Sequence, residues 1–202
     1  MSVSIYFGLP GSGKTTLAVK HIIKYLKKGI KVYTNIDVSL SRVIHITEAD
    51  FGVFDISDGV VIFDEATQAF DNRDWKKFSE NMRYFFLMHR HYGIKVVELF
   101  TQKFDGVDVK IRNLTDHVYW VKKNTFRQGI SKALPVPYGL YIPDKDDVSH
   151  VGEIISGYYK PNFFQRLTSE KCVRKKYYRF FDSYVRKDLP ALPKDRIKHI
   201  DA

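Results

Sequence analysis

Apolar residues along this chain fall into two kinds of pattern, short unbroken runs and repeats at threes and fours. Val3-Ser-Ile-Tyr-Phe7 predicts a short buried strand. Beyond a glycine-rich stretch, Leu17, Ala18, Ile22, Tyr25 and Leu26 fall near helical spacing from Thr15 onward, and Lys27-Lys28-Gly29 ends that pattern as a helix C-terminus does. Lys31–Ile36 predicts a second strand, and Val60–Phe63, four consecutive apolar residues, a third of the kind buried on both faces. Trp75, Phe78, Met82, Phe85, Phe86 and His89 predict a long helix, capped by Asp71 or Asn72, running to about Tyr92 and stopped by Gly93. Ile94–Phe100 predicts a fourth strand, 107–114 a short helix, and Val118–Val121 a fifth strand. Strands alternating with helices imply an α/β fold with a parallel sheet flanked by helices.

After Val121 the pattern changes. Residues 122–131 are polar and basic, and 133–143 hold three prolines around a strand-like Tyr138–Ile142. Residues 172–184 mix basic and aromatic side chains, and the tail from Asp188 is rich in proline and charge. The expected organisation is a core over 1–125, a basic extension over 126–187 and a tail over 188–202. The chain is 202 residues long with a net charge of +10, of which +8 falls after residue 102. That asymmetry suggests an anionic partner, nucleic acid or an acidic surface, against the plainer reading of a solubilising surface. One cysteine, Cys172, excludes an intrachain disulfide framework. No apolar run approaches the ~20 residues of a membrane span, and the N-terminus lacks a signal pattern, so a cytoplasmic protein is expected.

The sharpest chemical signal is Gly8-Leu-Pro-Gly-Ser-Gly13-Lys14-Thr15, a G-x-x-x-x-G-K-[ST] loop between a strand and a helix. Gly8, Pro10, Gly11, Ser12 and Gly13 form the turn, whose backbone N–H groups can point at one anion. Lys14 sets a cation against the β and γ phosphates of a nucleotide, Thr15 offers a hydroxyl to Mg²⁺, and Thr16 can bond the α phosphate. Asp64 and Glu65 follow the third strand directly. Asp64 is placed to hold Mg²⁺ through water, and Glu65 to polarise the attacking water. The fourth strand is expected between the phosphate-loop strand and the Asp64 strand, so Gln102 at its end can touch that water and the γ phosphate. An adjacent Asp-Glu pair favours a nucleotide hydrolase over a metabolite kinase, with a non-hydrolysing nucleotide-gated scaffold as the third reading.

The phosphate loop, the Val60-Val-Ile-Phe-Asp-Glu-Ala66 block and His89-Arg-His-Tyr-Gly93 followed by Thr101-Gln102 together resemble the zonula occludens toxin (Zot-like) family. The resemblance covers about residues 1–125. It implies a RecA-like P-loop NTPase fold, ATP with Mg²⁺, a ring-like homo-oligomer such as a hexamer, and a motor for phage virion assembly and export or DNA translocation. Family members usually carry a transmembrane helix after this domain. These 202 residues contain none, which opens a packaging role without extrusion or a separate membrane-protein partner at the inner face of the membrane. With no obvious arginine near the phosphate loop in cis, Arg112 past the fourth strand is the arginine expected to reach a neighbouring subunit's nucleotide, with Arg83 and Arg127 as rivals. Residues 171–187 carry seven Lys and Arg interleaved with Tyr177, Tyr178, Phe180, Phe181 and Tyr184. They read as a single-stranded DNA surface or as a packing element with its charges in water.

Overall fold

A computed structural model describes residues 2–66, 80–124, 127, 129–137 and 160–182. Eight strands form a single mixed sheet in the order β3-β2-β4-β5-β1-β6-β7-β8. They are β1 (Ser2–Phe7), β2 (Lys31–Thr34), β3 (Val43–His45), β4 (Gly59–Phe63), β5 (Val96–Thr101), β6 (His117–Lys123), β7 (Ile130–Val136) and β8 (Glu170–Val173). The first six in that order pair in parallel, and β7 and β8 add on in antiparallel fashion. Four helices are described: α1 (Lys14–Lys27), α2 (Glu80–Met88), α3 (Val109–Arg112) and α4 (Phe163–Thr168). This is the expected α/β architecture, with β5 between β1 and β4 as the sequence predicts.

Period-two alternation divides the core into two layers. In β4, Val61 and Phe63 enter one apolar cluster while Val60 and Ile62 enter the other. Both faces of that strand are dry, which accounts for its unbroken apolar run. Leu17, Ala18 and Ile22 of α1 cover one face; Phe51, Phe85 and Phe86 interlock over the other. Each fully buried side chain of this kind contributes about 1.5–3 kcal/mol relative to exposure.

Two strands, β3 and β7, were not foreseen, while β8 falls at the start of the segment read as a packing element. β3 is only three residues long and largely exposed, too short for a pattern to show. β7 contains Pro135, which argues against an interior strand. β8, however, pairs with Ile130–Ala133 among the described residues, so Pro135 lies past its end. β7 and β8 continue the same sheet across the expected boundary at 125. The helix expected to reach Tyr92 ends at Met88 and gives way to turns, with Gly93 at φ +69°. Its caps Asp71 and Asn72, the strand-like Tyr138–Ile142 and the tail from 188 lie outside the described residues. Among the described residues no helix is long and apolar enough to cross a membrane.

One polar group ties α1 to the sheet and to β8. His21 is 2% exposed. Its ring nitrogens lie 2.6 Å from Glu98 of β5 and 3.0 Å from Glu170 of β8, while Tyr25 donates to Glu98 and Lys20 to Glu170. Burial works to depress the His21 pKa, but the hydrogen bonds and charges of Glu170 and Glu98 overcome it and lift the pKa to about 9. Glu170 also meets a burial penalty, overcome by His21 and Lys20, and falls to about 2. A raised histidine stabilises fully below its ordinary pKa near 6.5 and loses that contribution as pH rises through about 9. The depressed Glu170 stabilises above its ordinary value of 4.5 and loses that as pH falls through about 2. The unfolding free energy from guanidinium titration is therefore expected to be highest between pH 4.5 and 6.5 and to fall from pH 6.5 to 9 by on the order of 2 kcal/mol. His21→Gln is expected to flatten that fall; an unchanged slope would remove this network from the account.

Candidate active site

The site lies at the edge where β1, β4 and β5 end together, since Phe7 is in register with Thr101 and Phe63 with Leu99. A crevice beyond the carboxyl ends of parallel strands is where ligands bind such sheets. Gly8 N donates to Thr101 O at 3.2 Å, fixing the start of the phosphate loop against the end of β5. The loop closes on itself through Ser12 N to Leu9 O. Gly13, at φ +97°, then caps α1, whose first helical bond runs from Leu17 N to Gly13 O. A Cβ on Gly13 would collide with Ser131 Oγ of β7 and come within 2.9 Å of Arg174 Cδ.

Lys14 is buried, and its ammonium donates to Gly8 O at 2.8 Å and Leu9 O at 3.3 Å. Burial lowers its pKa, with Asp64 and Glu65 pulling the other way. Thr15 Oγ1 donates to Asp64 Oδ2 at 2.5 Å. Asp64 is 8% exposed, and burial raises its pKa against the hydrogen bonds of Thr15 and the Glu65 N–H. Glu65 holds φ +50°, a left-handed conformation uncommon for a non-glycine residue. Gln102 Nε2 lies 3.3–3.4 Å from the two Glu65 carboxylate oxygens. Lys14, Thr15, Thr16, Glu65 and Gln102 all line one cleft of about 600 Å³, together with Pro10, Gly11 and Gly13. Ser12 is buried beneath it, and its hydroxyl has no hydrogen-bond partner among the described residues.

These features suit a phosphate chain with a divalent cation. The loop is a cradle without a Cβ at its tightest point, with an orphaned hydroxyl beneath it and a buried ammonium beside it. Thr15 and Asp64 are hard oxygen donors already in contact. They could fill two of the six positions that Mg²⁺ demands, the rest falling to phosphate oxygens and water.

Asn35 and Ser131 escaped the sequence reading, and the segment around Arg174 was read for DNA or packing rather than for this cleft. Asn35, just past β2, grips the backbone of Asp64 in both directions, accepting from its N–H at 2.8 Å and donating to its carbonyl at 2.9 Å. Ser131 donates to Ser12 O at 2.6 Å. Arg174 Nη1 reaches Gly11 O at 3.3 Å, and Arg174, Tyr178, Phe181 and Asp182 form one wall of the cleft. An arginine therefore does stand beside the phosphate loop in cis, contrary to expectation. Arg112 is 7% exposed, and its guanidinium donates to Val107 O, packs over Phe104 and faces Asp105 at 3.8 Å. It is held within its own fold rather than presented outward, because α3 turns it back onto the loop that follows β5. Of the aromatics read for base stacking, Phe181 is buried, Tyr177 and Phe180 pack against the α1-side core, and Tyr178 is half exposed, while Tyr184 lies outside the described residues.

Among solved structures, the chain is similar to the N-terminal domain of zonular occludens toxin from Neisseria meningitidis. The two are 22% identical, with 84% of this chain and 98% of that chain covered and a TM-score of 0.54. Weaker similarities reach the genome packaging NTPase B204 from Sulfolobus turreted icosahedral virus 2 in complex with ATP-gammaS, at 15% identity, 67% and 92% coverage and a TM-score of 0.49. They also reach the flagellar accessory protein FlaH from Methanocaldococcus jannaschii, at 13%, 68% and 78%, and 0.47. No curated protein matches the chain by sequence. The family model of the zonular occludens toxins matches residues 2–187, well past the 125 residues that carry the motifs, and the chain belongs to that family.

Proposed function

We propose that the chain is a Mg²⁺-dependent ATPase that drives phage-related assembly, export or packaging by moving DNA. One observation supports this above the others: the Thr15–Asp64 contact, with Glu65 and Gln102 beside it, in the same cleft as the phosphate loop. Lys14 leaves its loop carbonyls for the phosphate chain, and the loop N–H groups close on the same anion. Glu65 takes a proton from the attacking water, and Gln102, already bonded to that carboxylate, orients the water and senses the γ phosphate. Mg²⁺ held at Thr15 and Asp64 would neutralise charge developing on the phosphate oxygens. Desolvation of Asp64, which here opposes its ionised form, is then an asset, since a cation placed there gains from an unscreened carboxylate.

The DNA part of the reading rests on the basic C-terminal half. Lys171, Lys175, Lys176 and Arg179 are exposed, while most of the neighbouring aromatics are packed inward. Contact by charge is therefore favoured over stacking. A ring of subunits around the strand follows from the family resemblance, without Arg112 as the arginine shared between neighbours.

Calorimetry with Mg·ATP is expected to show Lys14→Ala binding roughly 10–100-fold more weakly, the loss of charge-assisted hydrogen bonds. Unchanged affinity would overturn the nucleotide reading. Glu65→Gln should still bind ATP but release phosphate ~10²–10⁴-fold more slowly. Turnover within a few-fold of the parent would exclude Glu65 as the base. Phosphate release with no acceptor added separates a hydrolase from a kinase, and tight binding with no release would favour the nucleotide-gated scaffold. For single-stranded DNA, replacing Lys171, Lys175 and Lys176 by Ala should flatten the log–log salt dependence by about 0.7 for each phosphate no longer neutralised. An unaltered slope would move the DNA-binding surface elsewhere.

A further inference from the structure

We propose that the segment Arg174–Asp182 is the second half of the nucleotide site: Arg174 gives the phosphate chain a guanidinium in cis, and the Tyr178 ring is the face on which the base stacks. This rests on the nucleotide reading above and extends it to a segment that the sequence marks only as basic and aromatic.

The segment is a fixed strap rather than a loose tail. It begins where β8 ends. Arg174 N donates to Gly129 O at 2.9 Å, and Phe180 O accepts from Ser39 N, beyond β2, at 2.8 Å. Between these anchors lie two short 3₁₀ turns, Arg174–Lys176 and Tyr178–Phe180. Phe181 is buried in the α1-side cluster, and so is Cys172 just before the strap, its thiol against Thr16 O of α1. Both ends are thereby pinned to elements that also build the phosphate loop.

On this frame two side chains, Arg174 and Tyr178, line the cleft. Arg174 reaches the carbonyl of Gly11, three residues from Lys14, whose ammonium is likewise held by loop carbonyls, those of Gly8 and Leu9. The two cations thus flank the cradle from opposite ends of the sequence, each on a carbonyl that a phosphate oxygen can replace at equal or better strength, since the new bond joins two charges. Arg174 lies close enough to Gly13 that its Cδ would stand 2.9 Å from a Cβ there, which places the stem directly over the loop. Tyr178 is 50% exposed while Phe181, three residues on, is 8% exposed. An aromatic ring left open at the mouth of a cleft of about 600 Å³ offers a stacking face to a planar ligand. The cleft is of the size that takes a whole nucleotide, beyond the needs of a triphosphate chain.

The strap can be divided by probe. Full-length protein is titrated with Mg·ATP and, separately, with Mg·tripolyphosphate, which has the phosphates and no base. Tyr178→Ala is expected to weaken ATP about tenfold, the scale of one base stacked on one ring, and to leave tripolyphosphate unchanged. Tyr178→Phe, which keeps the ring, should retain ATP affinity. Arg174→Ala should weaken both probes alike, and Arg174→Lys should recover part of the loss. Circular dichroism and a thermal melt accompany each variant. Should Arg174→Ala fail to fold, the Tyr178 pair and Arg174→Lys still decide the matter. Equal effects of Tyr178→Ala on both probes, or none on either, overturn the base site. Loss of single-stranded DNA binding with ATP affinity intact also overturns it and makes the strap a DNA surface. Lys14→Ala separates the two levels. If it leaves both affinities intact the nucleotide reading itself fails; if it abolishes both while Tyr178→Ala changes neither, only the strap proposal falls.

Discussion

The phosphate loop exists in its present shape because two of its positions have no side chain. A Cβ on Gly8 would meet the carbonyl of Val121 in β6, and one on Gly13 would meet the hydroxyl of Ser131 in β7. The loop is pressed between the strand that feeds it and the C-terminal half of the sheet, and only bare backbone fits. Gly13 also takes a φ of +97° as α1 begins, which an L side chain rarely adopts. The same squeeze brings Ser131 to the Ser12 carbonyl and lays Arg174 across the loop. The antiparallel strands β7 and β8 are thus part of the site's architecture.

From that fixed loop the rest of the site follows by strand order. With β5 inserted between β1 and β4, the residues after Phe7, Phe63 and Thr101 converge, and Gln102 meets Glu65 without any long excursion of either chain. Glu65 reaches this position by adopting a left-handed backbone conformation, at a cost on the order of 1 kcal/mol. Asn35 holds the adjacent Asp64 backbone from both sides, so that strain is confined to one residue. Lys14 and Asp64, two buried opposite charges, are each displaced by desolvation toward their neutral forms. Polyvalent phosphate and a divalent cation would correct both displacements at once.

What the sequence reveals of this molecule is what lies close together along it. The phosphate loop is eight consecutive residues, and Asp64-Glu65 abuts a four-residue apolar run, so each declares itself locally. Alternation within β1 and β4 and the spacing in α1 disclosed the parallel core for the same reason. Asn35 acts on a residue 29 positions away, Ser131 on one 119 away and Arg174 on one 163 away; the first two sit in no local pattern, and the basic, aromatic pattern around Arg174 points to an anion without saying which. β7 escaped because its proline lies past the reach of its second partner, a fact of register that composition conceals. Arg112 misled for the opposite reason: its place after a strand is legible, but that its guanidinium turns inward onto Val107 O is not.

The strap's anchorage also bears on how the molecule comes into being. Arg174 and Ser131, which press on the loop that holds Lys14 and Thr15, leave the ribosome some 160 and 115 positions after it. At about 5–20 residues per second the loop then waits on the order of ten seconds or more before its last wall arrives. During that interval the parallel strands can pair, but the cradle has no strap across it. A growing chain therefore acquires its parallel strands before its complete binding cleft, and the strap is the latch that finishes the site.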